Sequence, residues 1–198
     1  MRIRSQLVLT GLGATLLMAL AVGTTSARNL SVTNQNFRSA FNQMDFRAGE
    51  IANTCRVTLE GSLHSRTMPK VEGSLIGYVT RVITGNCQLG TTILTETLPW
   101  HVRYISFSGR LPDITLITVK VRGAFRVSFC LAATDFTANF HRDPATGSLT
   151  SVSVPLTSEI PLTGIFCPEP RRGSLRANGE GSVSLQGTTG TRIHVFLI

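Results

Sequence analysis

The sequence predicts an all-β fold: an antiparallel β-sandwich, with a closed antiparallel β-barrel as the alternative. Three observations carry this. Apolar side chains recur with period two, the pattern of a strand with one buried face. Val, Ile, Thr and Phe dominate those runs, and they suit a pleated surface. The 18 glycines and 8 prolines interrupt the 198-residue chain too often for long helices. A sandwich buries one face of each strand, and so does a small barrel, so alternation does not separate the two.

Turn residues delimit candidate strands at 29–33, 43–47, 54–60, 62–67, 73–83, 91–97, 100–108 and 114–121. Further candidates are 124–132, 134–140, 149–154, 159–166, 173–177, 181–186 and 191–197. In the third run, Cys55, Val57 and Leu59 share a face opposite Arg56, Thr58 and Glu60. In the run at 124–132, Phe125, Val127, Phe129 and Leu131 form the apolar face. Trp100, Val102 and Tyr104 face one way, then Ile105 and Phe107 the other, which predicts a bulge or burial on both faces. The last run is apolar on both faces apart from His194, which predicts a central strand. One helical turn is expected around residues 36–42.

Gly-Ser-Leu occurs at Gly61, Gly73, Gly147 and Gly173. The spacings define no repeat architecture. Turn chemistry explains the motif: Gly bends, Ser bonds locally, Leu opens the next strand.

The first 27 residues read as an address. Arg2 and Arg4 precede an apolar run at 7–22, and small polar residues follow, with Thr25 and Ala27 suiting a cleavage site. That is the layout of a secretory signal peptide. The run is interrupted by glycines and shorter than the roughly 20 apolar residues a spanning helix needs. The expectation is a single secreted domain at 28–198 with no membrane span after signal cleavage. The segment 160–164, IPLTG, resembles a wall-sorting signal. A mixed, strand-like sequence follows it, so it reads as a strand edge and turn.

Lys and Arg number 19 against 11 Asp and Glu, giving +8. A basic chain suggests nucleic acid, but 17 of the 19 cations are Arg. Without residues 1–27 the charge falls to +6. Export also removes the chain from nucleic acid, so no nucleic-acid partner is expected.

Export makes disulfides available to Cys55, Cys87, Cys130 and Cys167. Three pairings are open. The simplest topology joins Cys55 to Cys87 and Cys130 to Cys167. Zinc spacing is missing: there is no C-x-x-C, and no His lies within four residues of a Cys.

Chemical motifs are scarce. There is no P-loop, no G-x-S-x-G and no H-E-x-x-H. No catalytic residue, metal site or cofactor is assigned. Three weaker constellations remain. Glu60, Glu72 and Glu96 lie near Trp100 and Tyr104, as a glycosidase-like carboxylate pair would. Trp100 and Tyr104 are candidates for a ligand platform. Arg171, Arg172 and Arg176 follow a Pro-stiffened loop and form a candidate anion-binding cluster, since Arg grips phosphate bidentately.

The stretches at 27–31 (ARNLS), 55–66 (CRVTLEGSLHSR) and 95–100 (TETLPW) resemble exported bacterial β-rich proteins of uncharacterised function. That resemblance implies export and compact β structure, and no activity. The expected function is a non-catalytic binding or envelope-associated domain. Its partner would be an envelope polymer or a small apolar ligand. The alternatives are a secreted hydrolase on a β scaffold and a lumenal barrel carrying an apolar ligand.

Overall fold

The structure, a computed structural model, describes residues 29–88, 90–187 and 190–198. The expected signal peptide at 1–27 lies outside the described residues. The strands, in order, are β1 (Asn29–Val32), β2 (Asn36–Ala48), β3 (Ile51–Leu63), β4 (Thr67–Pro69), β5 (Leu75–Gly85), β6 (Thr91–Ile93) and β7 (Trp100–Arg110). They continue with β8 (Asp113–Val127), β9 (Cys130–Arg142), β10 (Leu149–Ser153), β11 (Thr157–Thr163), β12 (Arg172–Ala177), β13 (Gly181–Leu185) and β14 (Val195–Leu197). A short 3-10 turn covers Thr95–Thr97.

The fold is all-β. In the large sheet β2, β3, β5, β7, β8 and β9 are successive antiparallel neighbours. β10 and β11 lie along opposite halves of β9, opposite Phe140 and Ala132 respectively. β13 and β12 lie along opposite halves of β2. β10 pairs with β13 and β11 with β12, which carries the ladder back towards β2. Pro155, which has no N–H to donate, falls in the break between β10 and β11. The break between β12 and β13 faces the register shift in β2, where the Asn178 amide donates to the Gln43 carbonyl. The result is a barrel-like sandwich with a filled interior, not a closed barrel around a lumen. Two voids among the described core side chains measure only about 60 and 20 Å³.

A second sheet, β14–β1–β4, covers one end and contributes Leu30, Val32, Met68 and Val195 to the core. β14 is therefore an edge strand, not the central one expected. Ile193 and Val195 are buried, while Phe196 and Ile198 are exposed. Its apolar outer face does not reflect two-sided burial.

Three further expectations are corrected. Residues 36–42 are strand: Phe37 and Phe41 sit four apart, which fits a helix face and also one face of a strand. Pairing with β3 and β13 decides for the strand. The helical piece is instead Thr95–Thr97, inside the run expected at 91–97. The run at 124–132 is two strands joined by a turn at Ser128 and Phe129, where Val127 pairs with Cys130. Ser128 has φ +54°, the left-handed position that glycine usually fills in a tight hairpin. The turn flips the phase, so Phe125 and Val127 point inward, Phe129 and Leu131 outward, and Cys130 and Ala132 inward. The bulge expected near Tyr104 is present, as a register shift between Tyr104 and Ser106 against β8.

The Gly-Ser-Leu motifs divide into two physical kinds. Gly73 and Gly147 sit in turns at φ +78° and +75°. Gly61 and Gly173 lie within strands, where a Cβ would land on the carbonyl of Tyr78 or Arg47. Gly61 therefore carries β3 on to Leu63 instead of ending it, and the rest of the candidate at 62–67 is a bend that leads into β4.

Candidate functional site

Both expected disulfides form, Cys55 with Cys87 and Cys130 with Cys167. They suit an oxidising, extracytoplasmic compartment. Both brace the same end of the sandwich, where the β2–β3 turn, residues 86–88 and 90, the β8–β9 turn and the β11–β12 loop meet. The Gln88 amide donates to Thr54, and the Ser128 amide to Gly90. Gly49 stands beside Pro168.

This crosslinked end exposes large apolar side chains. Phe129 is 70% exposed, Phe166 76% and Ile165 90%. The Phe129 and Phe166 rings meet edge to face at 6.1 Å. Each Phe precedes a cysteine of the same disulfide, so the bond that joins the two loops also fixes the pair. The expected phase placed Phe129 in the core; no Gly or Pro marks the turn that exposes it.

The candidate arginine cluster is already occupied. Arg171 pairs with Glu169 at 2.9 Å, Arg172 with Glu159, and Arg176 with Asp45 at 3.0 Å. Each guanidinium has a carboxylate in reach, so the three do not form a free anion site. The Arg171 and Arg172 pairs are exposed on both partners and contribute about 0–1 kcal/mol each.

The three carboxylates do not converge. Glu60 is buried on the outer face of β3, bonded to Arg38 of β2 at 3.3 Å and Arg81 of β5 at 3.4 Å. Glu72 is exposed in the turn where the Gly73 amide donates to the Tyr104 carbonyl. Glu96 is exposed in the 3-10 turn beside Trp100. Four residues of strand separate those anchor points, about 13 Å at roughly 3.3 Å per residue. Glycosidase carboxyls stand about 5–9.5 Å apart.

Trp100 and Tyr104 are core residues, not an open platform. Burial pushes the Tyr104 hydroxyl above its ordinary pKa. The Trp100 indole N–H donates to Thr97 Oγ1 at 2.7 Å, and that hydroxyl donates to the Leu94 carbonyl at 2.6 Å. One edge of Trp100 still lines a surface concavity of about 330 Å³, walled by Pro99, His101, Arg122 and Ala133. That is near the lower limit for a small-molecule site, about 300 Å³. The interior voids are far below it, so the space that a lumenal ligand requires is filled.

The histidines are dispersed. His64 and His101 pack on either side of Tyr78 at 4.8 and 5.3 Å. His194 Nδ1 lies 3.1 Å from the Thr146 carbonyl. His141 Nε2 is 3.2 Å from Ser153 Oγ, a serine–histidine pair that sequence spacing does not reveal. Glu180 approaches the same Nε2, at 4.0 Å. A triad acid holds the other ring nitrogen, so this arrangement does not orient a general base. Among the described residues, no group of three His, Cys, Asp or Glu is placed to hold a metal ion.

Fold and crosslinks define the class: a disulfide-bonded, all-β sandwich with an apolar crosslinked end. No family model, curated protein or solved structure matches the chain.

Proposed function

We propose that this chain is an exported, non-catalytic binding domain of the cell envelope that docks through its crosslinked end. One observation carries the reading: Phe129, Ile165 and Phe166 stand exposed on loops that a disulfide holds in place. Apolar side chains cost solubility when left in water, and a contiguous exposed cluster marks an interaction site. Bracing reduces the entropy lost on binding. The leader-like residues 1–27 and the two disulfides support export.

The test is cosedimentation of the disulfide-bonded protein with isolated envelope fractions. The bound fraction should fall sharply in the triple variant Phe129→Ser, Ile165→Ser, Phe166→Ser. Equal binding by the two proteins would remove the crosslinked end from the function.

A second reading rests on the concavity beside Trp100, which suits a small ligand with an apolar body. Trp100 is the sole tryptophan, so occupancy should shift its fluorescence. A flat titration with a library of small apolar compounds would end this reading.

A further inference from the structure

We infer that the crosslinked end is a wedge for a lipid surface, with Phe129, Ile165 and Phe166 entering the headgroup–acyl boundary. This rests on the docking role just proposed and names the partner.

Three observations select a lipid over a protein. The first is shape. Side chains that are 70–90% exposed protrude from the end instead of lining a groove. A protein partner would need a matching pocket, whereas a bilayer boundary supplies apolar volume around any protrusion. The second is area. At roughly 200 Å² per large side chain the three expose on the order of 450 Å². Two copies meeting tip to tip would bury about 900 Å², below the roughly 1,200 Å² of a stable interface. The same area is ample for an interfacial anchor.

The third is charge. Arg47 and Arg126 are exposed, each at the penultimate position of its strand before the β2–β3 and β8–β9 turns. Arg126 lies two residues before the turn, about 7 Å at roughly 3.3 Å per residue, which puts it at headgroup depth when Phe129 is inserted. Arg171 and Arg172 stand on the same end, paired with Glu169 and Glu159. Glu50 in the β2–β3 turn adds a further acid there. The end is thus weakly positive, on a domain of net +6 over residues 28–198. That favours anionic headgroups as an addition to apolar insertion.

The outer faces of the strands limit insertion to the tip. Arg103, Lys120 and Arg122 are exposed along β7 and β8, where a membrane-spanning barrel carries an apolar band.

The experiment is cosedimentation of the oxidised protein with vesicles of pure phosphatidylcholine and of equimolar phosphatidylcholine and phosphatidylglycerol. The protein should bind both and favour the mixed vesicles, with salt removing only that preference. The triple serine variant should lose at least roughly tenfold in partitioning to both, because it removes apolar burial. A Phe166→Trp variant should add a tryptophan signal that blue-shifts with vesicles and is quenched by brominated lipid chains. All three sites are exposed, so the variants keep the core intact. Equal binding by the triple variant overturns the inference, as does an added tryptophan signal in the Phe166→Trp variant that does not shift. If envelope fractions require the tip but neither vesicle binds, the lipid inference falls and the docking role stands. If neither envelope nor vesicle binding needs the tip, both fall.

Discussion

Arg142 of β9 donates its Nε hydrogen to the carbonyl oxygen of Val195, 53 residues away, at 2.7 Å. Its Nη1 donates to the carbonyl of Ile114 at the same distance. The guanidinium is buried and thereby ties the C-terminal strand to the large sheet. Arg142→Ala leaves two carbonyls short of a donor, at about 1–3 kcal/mol each when buried. We expect a loss of about 2–4 kcal/mol in denaturant unfolding. Arg142→Lys should recover less than half, because an ammonium lacks the planar fork that reaches both acceptors. Wild-type stability in the Ala variant would show that the contacts are energetically idle.

Gly61 and Gly73 carry the same motif and should respond differently to alanine. At Gly61 the added methyl collides with the Tyr78 carbonyl and lies 2.9 Å from the Val79 Cα, so the β3–β5 ladder must shift. Overpacking of this kind costs about 1–3 kcal/mol or more. At Gly73 the methyl meets open space, and only the φ of +78° opposes it. Its expected cost is about 1 kcal/mol. Thermal melts of the two variants should rank Gly61→Ala clearly below Gly73→Ala, and the reverse order would contradict the steric account.

Each disulfide closes a loop, with sequence separations of 32 and 37 residues. In the chain-entropy treatment each contributes about 4 kcal/mol. Losing Cys130–Cys167 should also free the two loops that carry Phe129 and Phe166. A Cys130→Ser, Cys167→Ser double variant should therefore lose stability and show faster amide exchange at 164–171. Unchanged exchange there would mean that packing alone holds the tip.

Asp143 organises the β9–β10 turn. Its carboxylate accepts from the Thr146 hydroxyl and the Ala145 amide, both at 2.9 Å. The Thr146 hydroxyl, followed by the Ala145 amide, holds the group below its ordinary 3.8. A depressed carboxylate stabilises the folded state above its ordinary pKa. That contribution is lost as pH falls through the lower folded value. Protection of the Ala145 amide, referenced to the intrinsic exchange rate at each pH, should thus fall in acid below about pH 4. Asp143→Asn, which does not ionise, should abolish this acid response while keeping the turn. A turn that loosens equally in both proteins would point to another group.

The fold class was legible because alternation is local. Trp100, Val102 and Tyr104 alternate in the sequence and are all buried. The errors fall where a local signal was ambiguous or missing. Phe37 and Phe41 fit either period. Ser128 makes a turn without glycine, so the sequence placed Phe129 in the core and hid the tip. The three arginines were visible, but their carboxylates come from Asp45 and Glu159 as well as from the adjacent Glu169, and only the last is close in sequence.

The sequence by itself determined that the chain forms strands, since a two-residue pleat writes its buried face directly into residue order. It also determined the cysteine supply and the simplest pairing. Only the tertiary structure decided which loops share an end. It placed Cys55–Cys87 and Cys130–Cys167 together and buried Glu60 between two arginines. It left Phe129, Ile165 and Phe166 facing water. The reason is that exposure depends on what non-local strands bring alongside a residue. A period of two says that a side chain alternates, but the turn and the neighbouring ladder decide which face is covered.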